Sequence, residues 1–166
     1  MKNTHLEHLE DNILNDGSQG GKEAVAFLRS LGDMLDQGVA DARVTVKWDG
    51  APAIICGVNP DNGRFFVGTK SVFNKVNPKI SYSENDVDSM YPPGQLASKL
   101  KDAYKYLSTL SIPNVVQGDL LFTDDKYDAT IGGDTCVAFQ PNTIVYAVPK
   151  DSDIGQKIDE AKFGIV

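Results

Sequence analysis

The apolar positions change period along the chain, and each period selects a kind of element. Leu6, Leu9 and Ile13 recur at helical spacing within residues 5–15. Asp16-Gly17-Ser18-Gln19-Gly20-Gly21 then breaks the pattern, since glycines and small polar residues favour turns. A second amphipathic helix is expected from Lys22 to Gln37, with Val25, Leu28, Leu31 and Leu35 as its core stripe and Gly38 closing it. Beyond it the texture turns to β. Val44–Trp48 and Ala53–Val58 read as strands, and Asn59-Pro60-Asp61-Asn62-Gly63 is a turn signal before a third strand, Arg64–Thr69.

The polar stretch Asn74–Gly94 contains Pro78, Pro92 and Pro93, and it is too long for a plain connector. It reads as a functional lid or a mobile loop. Gln95–Leu110 carries Leu96, Leu100, Ala103 and Leu107 on one helical face. Val115–Phe122 reads as a strand interrupted at Gly118-Asp119, and Thr123–Asp134 as an acidic loop. Cys136–Phe139 and Thr143–Val148 are further β segments, Asp153–Ala161 a short helix, and Phe163–Val166 the opening of another strand. The class expected is α+β, with antiparallel sheets and flanking helices. One domain spans 1–166, with a helical part at 1–38 and a sheet-rich part at 43–166.

Composition narrows the class. The 166 residues are 41% hydrophobic and 23% charged, in the range of an ordinary globular domain. No apolar run reaches membrane-span length and no signal sequence opens the chain, so a cytoplasmic protein without a membrane partner is expected. Cys56 and Cys136 each sit in an apolar strand-like run and read as reduced core thiols. The net charge of −7 argues against a nucleic-acid grip over the whole surface, but leaves room for a local patch at Lys70, Lys75 and Lys79. A solvated lysine-bearing loop is the commoner explanation of those three. His5 and His8, with Glu7 and Glu10, fit a solvated helix face better than a metal site. Asp124, Asp125, Asp128 and Asp134 lack calcium-hand spacing and read as a solvated acidic loop. Walker, dinucleotide, zinc and nucleophile-elbow motifs are absent.

The chemistry concentrates in Arg43–Ile55. A lysine closing a buried strand is costly to desolvate, and desolvation yields the neutral amine that a nucleophile needs. Gly50 lets the backbone turn sharply and approach a ligand. Lys47-Trp48-Asp49-Gly50 resembles the Lys-x-Asp-Gly motif of the covalent nucleotidyltransferases, namely ATP-dependent DNA ligases, RNA ligases and capping enzymes. Phe65-Phe66-Val67-Gly68-Thr69-Lys70-Ser71 resembles their second motif, with Lys70 where an arginine is usual, a swap that keeps charge but loses the bidentate fork. Val115-Val116-Gln117-Gly118-Asp119-Leu120-Leu121 resembles the third, with Asp119 one methylene shorter than the usual glutamate. Thr143–Val148 resembles the next strand.

That resemblance implies a ligase-type adenylation fold and a lysyl-AMP formed at Lys47 from ATP and Mg²⁺. It implies that Asp49, Gly50, Lys70 and Asp119 contact the nucleotide, that Asp119 also serves the metal, and that Tyr146 stacks on adenine. Nicked or broken nucleic-acid ends are the implied acceptors. The later Glu-Gly and Lys-x-Lys strands of ligases have no good counterpart here. The adenylation domain is therefore expected to be incomplete at its C-terminus, and the alternative is a non-catalytic nucleotide- or nucleic-acid-binding module on the same scaffold. Asn3–Asp11 and Phe139–Lys150 resemble an uncharacterised family of marine T4-like tailed phages, which implies work in an infected bacterial cytoplasm.

Overall fold

The computed structural model describes residues 8–37 and 46–166. The chain divides into two compact units, Met1–Lys47 and Trp48–Val166. Leu6, His5, Gly38 and the start of the expected strand at Val44 lie outside the described residues.

In the first unit, α1 runs over Asp11–Gln37 and bends at Gly17, whose φ of 57° and ψ of −132° leave the helix. The expected break is thus one residue wide, and helix resumes well before Lys22. A Cβ on Gly20 would lie 1.9 Å from the Asn12 carbonyl oxygen, so only glycine allows the two arms to meet this closely. Gly20 and Ala24 are the buried positions. The expected stripe is otherwise: Val25, Leu28 and Leu35 are exposed and Leu31 is half-buried. Helical period identifies an apolar face without showing that the face is covered.

The second unit is built on two antiparallel sheets. The first contains β1 (Ala53–Val58), β2 (Phe65–Gly68), β3 (Val116–Phe122) and β7 (Gly164–Ile165), in the order β2-β1-β3-β7. The second contains β4 (Tyr127–Ile131), β5 (Asp134–Phe139) and β6 (Tyr146–Pro149), in sequential order. Helices α2 (Glu84–Met90) and α3 (Gln95–Leu107) join the first core, and α4 (Asp153–Glu160) the second. The α+β class with antiparallel sheets and flanking helices is therefore observed.

β3 is common to both cores. Ile54, Cys56, Val67 and Leu120 pack with Val87, Tyr91, Leu100, Ala103 and Leu107. Leu121 and Phe122 pack instead with Val137, Phe139, Val148 and Ile158. Neighbours on a regular strand face opposite ways, but the β3–β7 register shifts between Leu120 and Phe122. A bulge there turns Leu121 and Phe122 to one side. Cys56 and Cys136 are free and buried, and burial pushes the Cys56 thiol pKa up.

Four expectations are corrected. Val46–Trp48, the described part of the expected strand Val44–Trp48, is irregular. β3 runs unbroken through Gly118-Asp119 and pairs Gly118 with Ile54. Within the stretch 74–94, residues 79–91 are packed rather than a lid, while 74–78 are exposed: Ser83 caps α2 by accepting from the Asp86 amide, and Ser81, Val87 and Tyr91 are buried. Its apolar residues are few, which is why it reads as loop, yet Val87, Met90 and Tyr91 fall at helical spacing. The acidic loop holds β4, paired to β5 across Gly132-Gly133 with φ of 62° and 98°. Two such residues make the tight turn that strand twist favours. Its acids have structural partners: Asp125 accepts from the Thr123 amide at 2.9 Å and Asp128 meets Lys150 at 2.6 Å.

The half-buried Asp102 of α3 has its pKa raised, first by desolvation and then by Asp124. An acid whose folded pKa exceeds its unfolded pKa disfavours folding above the unfolded value, and protonation relieves this as pH falls through the folded value. Asp102→Asn is expected to raise the neutral-pH melting temperature, with the gain vanishing in acid. Thermal melts of both proteins across that range check it.

Candidate functional site

The Lys-x-Asp-Gly segment enters the second unit along β3. The Ala51 amide donates to the Leu120 carbonyl at 2.9 Å and the Leu120 amide to the Pro52 carbonyl at 3.1 Å, which extends the β1–β3 ladder backwards. A Cβ on Gly50 would stand 2.4 Å from the Leu120 carbonyl oxygen. The glycine is thus required by a backbone approach to β3, the strand that carries Asp119.

The second sheet holds the same segment from its side. The Tyr146 hydroxyl accepts from the Asp49 amide at 2.8 Å and lies 3.2 Å from the Asp49 carbonyl, to which it can donate. Asn142 Nδ2 donates to the Asp49 carboxylate at 3.2 Å. The Trp48 ring lies 5.0 Å from Tyr146 and 6.1 Å from Phe139, which itself lies 5.4 Å from Tyr146. Trp48 packs against the second core while Gly50 lies on β3, so this short segment joins the sheets.

Asp49, Gly50, Asp119 and Tyr146 are brought to one region of the second unit. Asp119 pairs with Ala53, is half-buried, and exchanges both backbone hydrogen bonds with Val166. The bulge and strand alternation turn its side chain to the same side as Leu121. Tyr146 differs from its expected part: its ring packs on Trp48 and Phe139 and its hydroxyl grips Asp49, so it positions the motif. Lys70 is not on β2 but on the 3₁₀ turn Lys70–Phe73 that follows it, and is exposed. Ile55 pairs with Gly68, and Ala53 with Asp119, so Lys70 leaves the sheet at the end where Asp119 lies. Two strand spacings, roughly 10 Å, separate β2 from β3 within the sheet. Lys47 is exposed and directly precedes Trp48.

Beside this region a cavity of about 660 Å³ is lined by Trp48, Tyr106, Leu121 and Phe122, and also by Lys157 and Lys162. Asp49, Lys70, Asp119 and Tyr146 do not line it. Among the described residues no three His, Cys, Asp or Glu side chains gather to hold a metal, and no helix is long and apolar enough to cross a membrane. Sequence reasoning missed Asn142, Trp48 and the two cavity lysines. Trp48 was visible inside the motif as the sole tryptophan. The others carry no local signal, because chain topology brings them there.

Tyr146→Phe leaves a polar backbone pair without its partner and is expected to cost about 1–2 kcal/mol. Gly50→Ala, which forces backbone apart, should cost more, on the order of 3 kcal/mol. Urea unfolding monitored by Trp48 fluorescence checks both values and their order.

Residues 3–166 match the family model described as a family of unknown function, DUF6267, and the chain belongs to that family. No curated protein and no solved structure matches it.

Proposed function

We propose that this DUF6267 member is an ATP-dependent nucleotidyltransferase of the polynucleotide ligase type, with Lys47 as the nucleophile. The observation that carries the reading is the seat of the motif's glycine, Gly50, against the Leu120 carbonyl, next to Asp119 on β3. A motif match by chance would not need its glycine to touch the strand bearing the third motif's carboxylate.

In this reading the Lys47 amine forms a nitrogen–phosphorus bond to the α-phosphorus. The bond from that phosphorus to the bridging oxygen breaks, pyrophosphate leaves, and the amine proton passes to solvent. The cavity is large enough for a nucleotide, offers Trp48 and Tyr106 as aromatic walls, and has Lys157 and Lys162 to meet phosphate charge. Asp119 would hold the Mg²⁺ as a single carboxylate, since among the described residues no all-protein cage forms. When bound, that ion would neutralise the phosphates and help pyrophosphate depart. Tyr146 and Asn142 hold the Asp49 backbone and carboxylate, and Lys70 would approach phosphate or ribose. The AMP would pass to a nucleic-acid end, in the cytoplasm of a phage-infected bacterium.

One observation favours a second reading, a nucleotide- or nucleic-acid-binding module without catalysis. Lys47 is exposed and lies on no strand, so the burial expected of a lysine closing a buried strand is not observed. The readings separate on intact mass after incubation with ATP and Mg²⁺. The enzyme gains one AMP, and Lys47→Ala gains none. Unmodified parent protein that still binds ATP would reject the enzyme in favour of the module.

A further inference from the structure

We infer that the loop 70–79 is a docking surface for single-stranded nucleic acid. It stands on observations separate from the chemistry at Lys47. The chain carries a net charge of −7, yet no acid occurs between Asp61 and Glu84, a span that contains Arg64, Lys70, Lys75 and Lys79. From this basic loop Phe73 and Val76 project into solvent, 69% and 93% exposed.

A solvated lysine loop has no need of a fixed backbone, and this one is fixed. Thr69 caps the 3₁₀ turn by accepting from the Ser71 amide, and Thr69, Ser71 and the buried Tyr91 share a chain of hydroxyl contacts at 2.9 and 3.1 Å. Asn74 Oδ1 accepts from the amides of Val76 and Asn77 at 3.0 and 3.3 Å. The Lys79 amide returns to the Ser71 carbonyl at 3.2 Å, and its ammonium rests 4.8 Å from the centre of the Tyr91 ring. A Cβ on Gly68 would strike Val72 and the Lys79 carbonyl, so the loop packs tightly onto β2.

The result is a pre-organised surface with one aromatic face amid cations. Unpaired bases stack on such a face, and their phosphates meet the lysines. A base inside a duplex is already stacked on both sides, and a purely apolar protein partner would gain nothing from the lysines of this loop. Single strands satisfy both features.

The test is fluorescence anisotropy with labelled oligothymidylate and oligouridylate across a salt series. The parent should bind with log affinity falling against log salt at a slope of roughly −2, as expected for about three phosphates neutralised. Phe73→Ala should weaken binding roughly tenfold. Phe73→Trp should bind like the parent, and Lys75→Ala should shallow the slope by about 0.7. Phe73 is exposed, so thermal melts should show the variants folded. Absence of binding at low salt, or equal binding by Phe73→Ala, overturns the inference and leaves the loop to a protein partner. Tighter binding of duplex that is indifferent to Phe73 overturns it too.

Discussion

The grip of Tyr146 on the Asp49 backbone, opposite the seat of Gly50 on the Leu120 carbonyl, is the constraint from which the second unit is organised. One contact belongs to the three-stranded sheet and the other to the four-stranded sheet. The short irregular segment between them has no strand geometry of its own, so both contacts are needed to fix it. Trp48 adds apolar area where the second core would otherwise be open. A segment held by backbone contacts to both sheets is thereby fixed within the second unit.

β3 makes this possible by serving two cores. Leu120 faces the helices α2 and α3, and the bulge turns Leu121 and Phe122 to the opposite side. Asp119 lies on that second side, along the strand from the cavity wall formed by Leu121 and Phe122. The cavity itself lies where α3, β3, α4 and β7 converge. Ends of α4 are secured by ordinary means: Ser152 accepts from the Gly155 amide, and Lys126 donates to the carbonyls of Ile158, Asp159 and Ala161. These caps supply partners for the orphan groups that every helix leaves at its ends.

Much of the fold could be read from periodicity. β1, β2, β5 and α3 lie close to where alternation and helical spacing put them. What escaped was structure that rests on few apolar residues. β4 is exposed along most of its length, and its one sequence signal was the Gly132-Gly133 pair. α2 is short and polar, anchored chiefly by Val87 and Tyr91. At the site, the Asp49–Gly50 corner was legible because a local backbone demand leaves a glycine behind. The role of Tyr146 was not, because a tyrosine that stacks on a ligand and one that clamps a loop look alike in sequence. Helical stripes misled in α1, where the exposed Val25, Leu28 and Leu35 show apolar spacing without burial.

Trp48 is the chain's single tryptophan, stands next to Lys47, and borders the 660 Å³ cavity. Its emission during titration with ATP and Mg²⁺ therefore reports directly on whether a nucleotide reaches this corner. A saturable change in intensity or wavelength is the predicted result. Emission that stays flat well beyond cellular ATP concentrations, while the protein remains folded, would contradict a nucleotide site here.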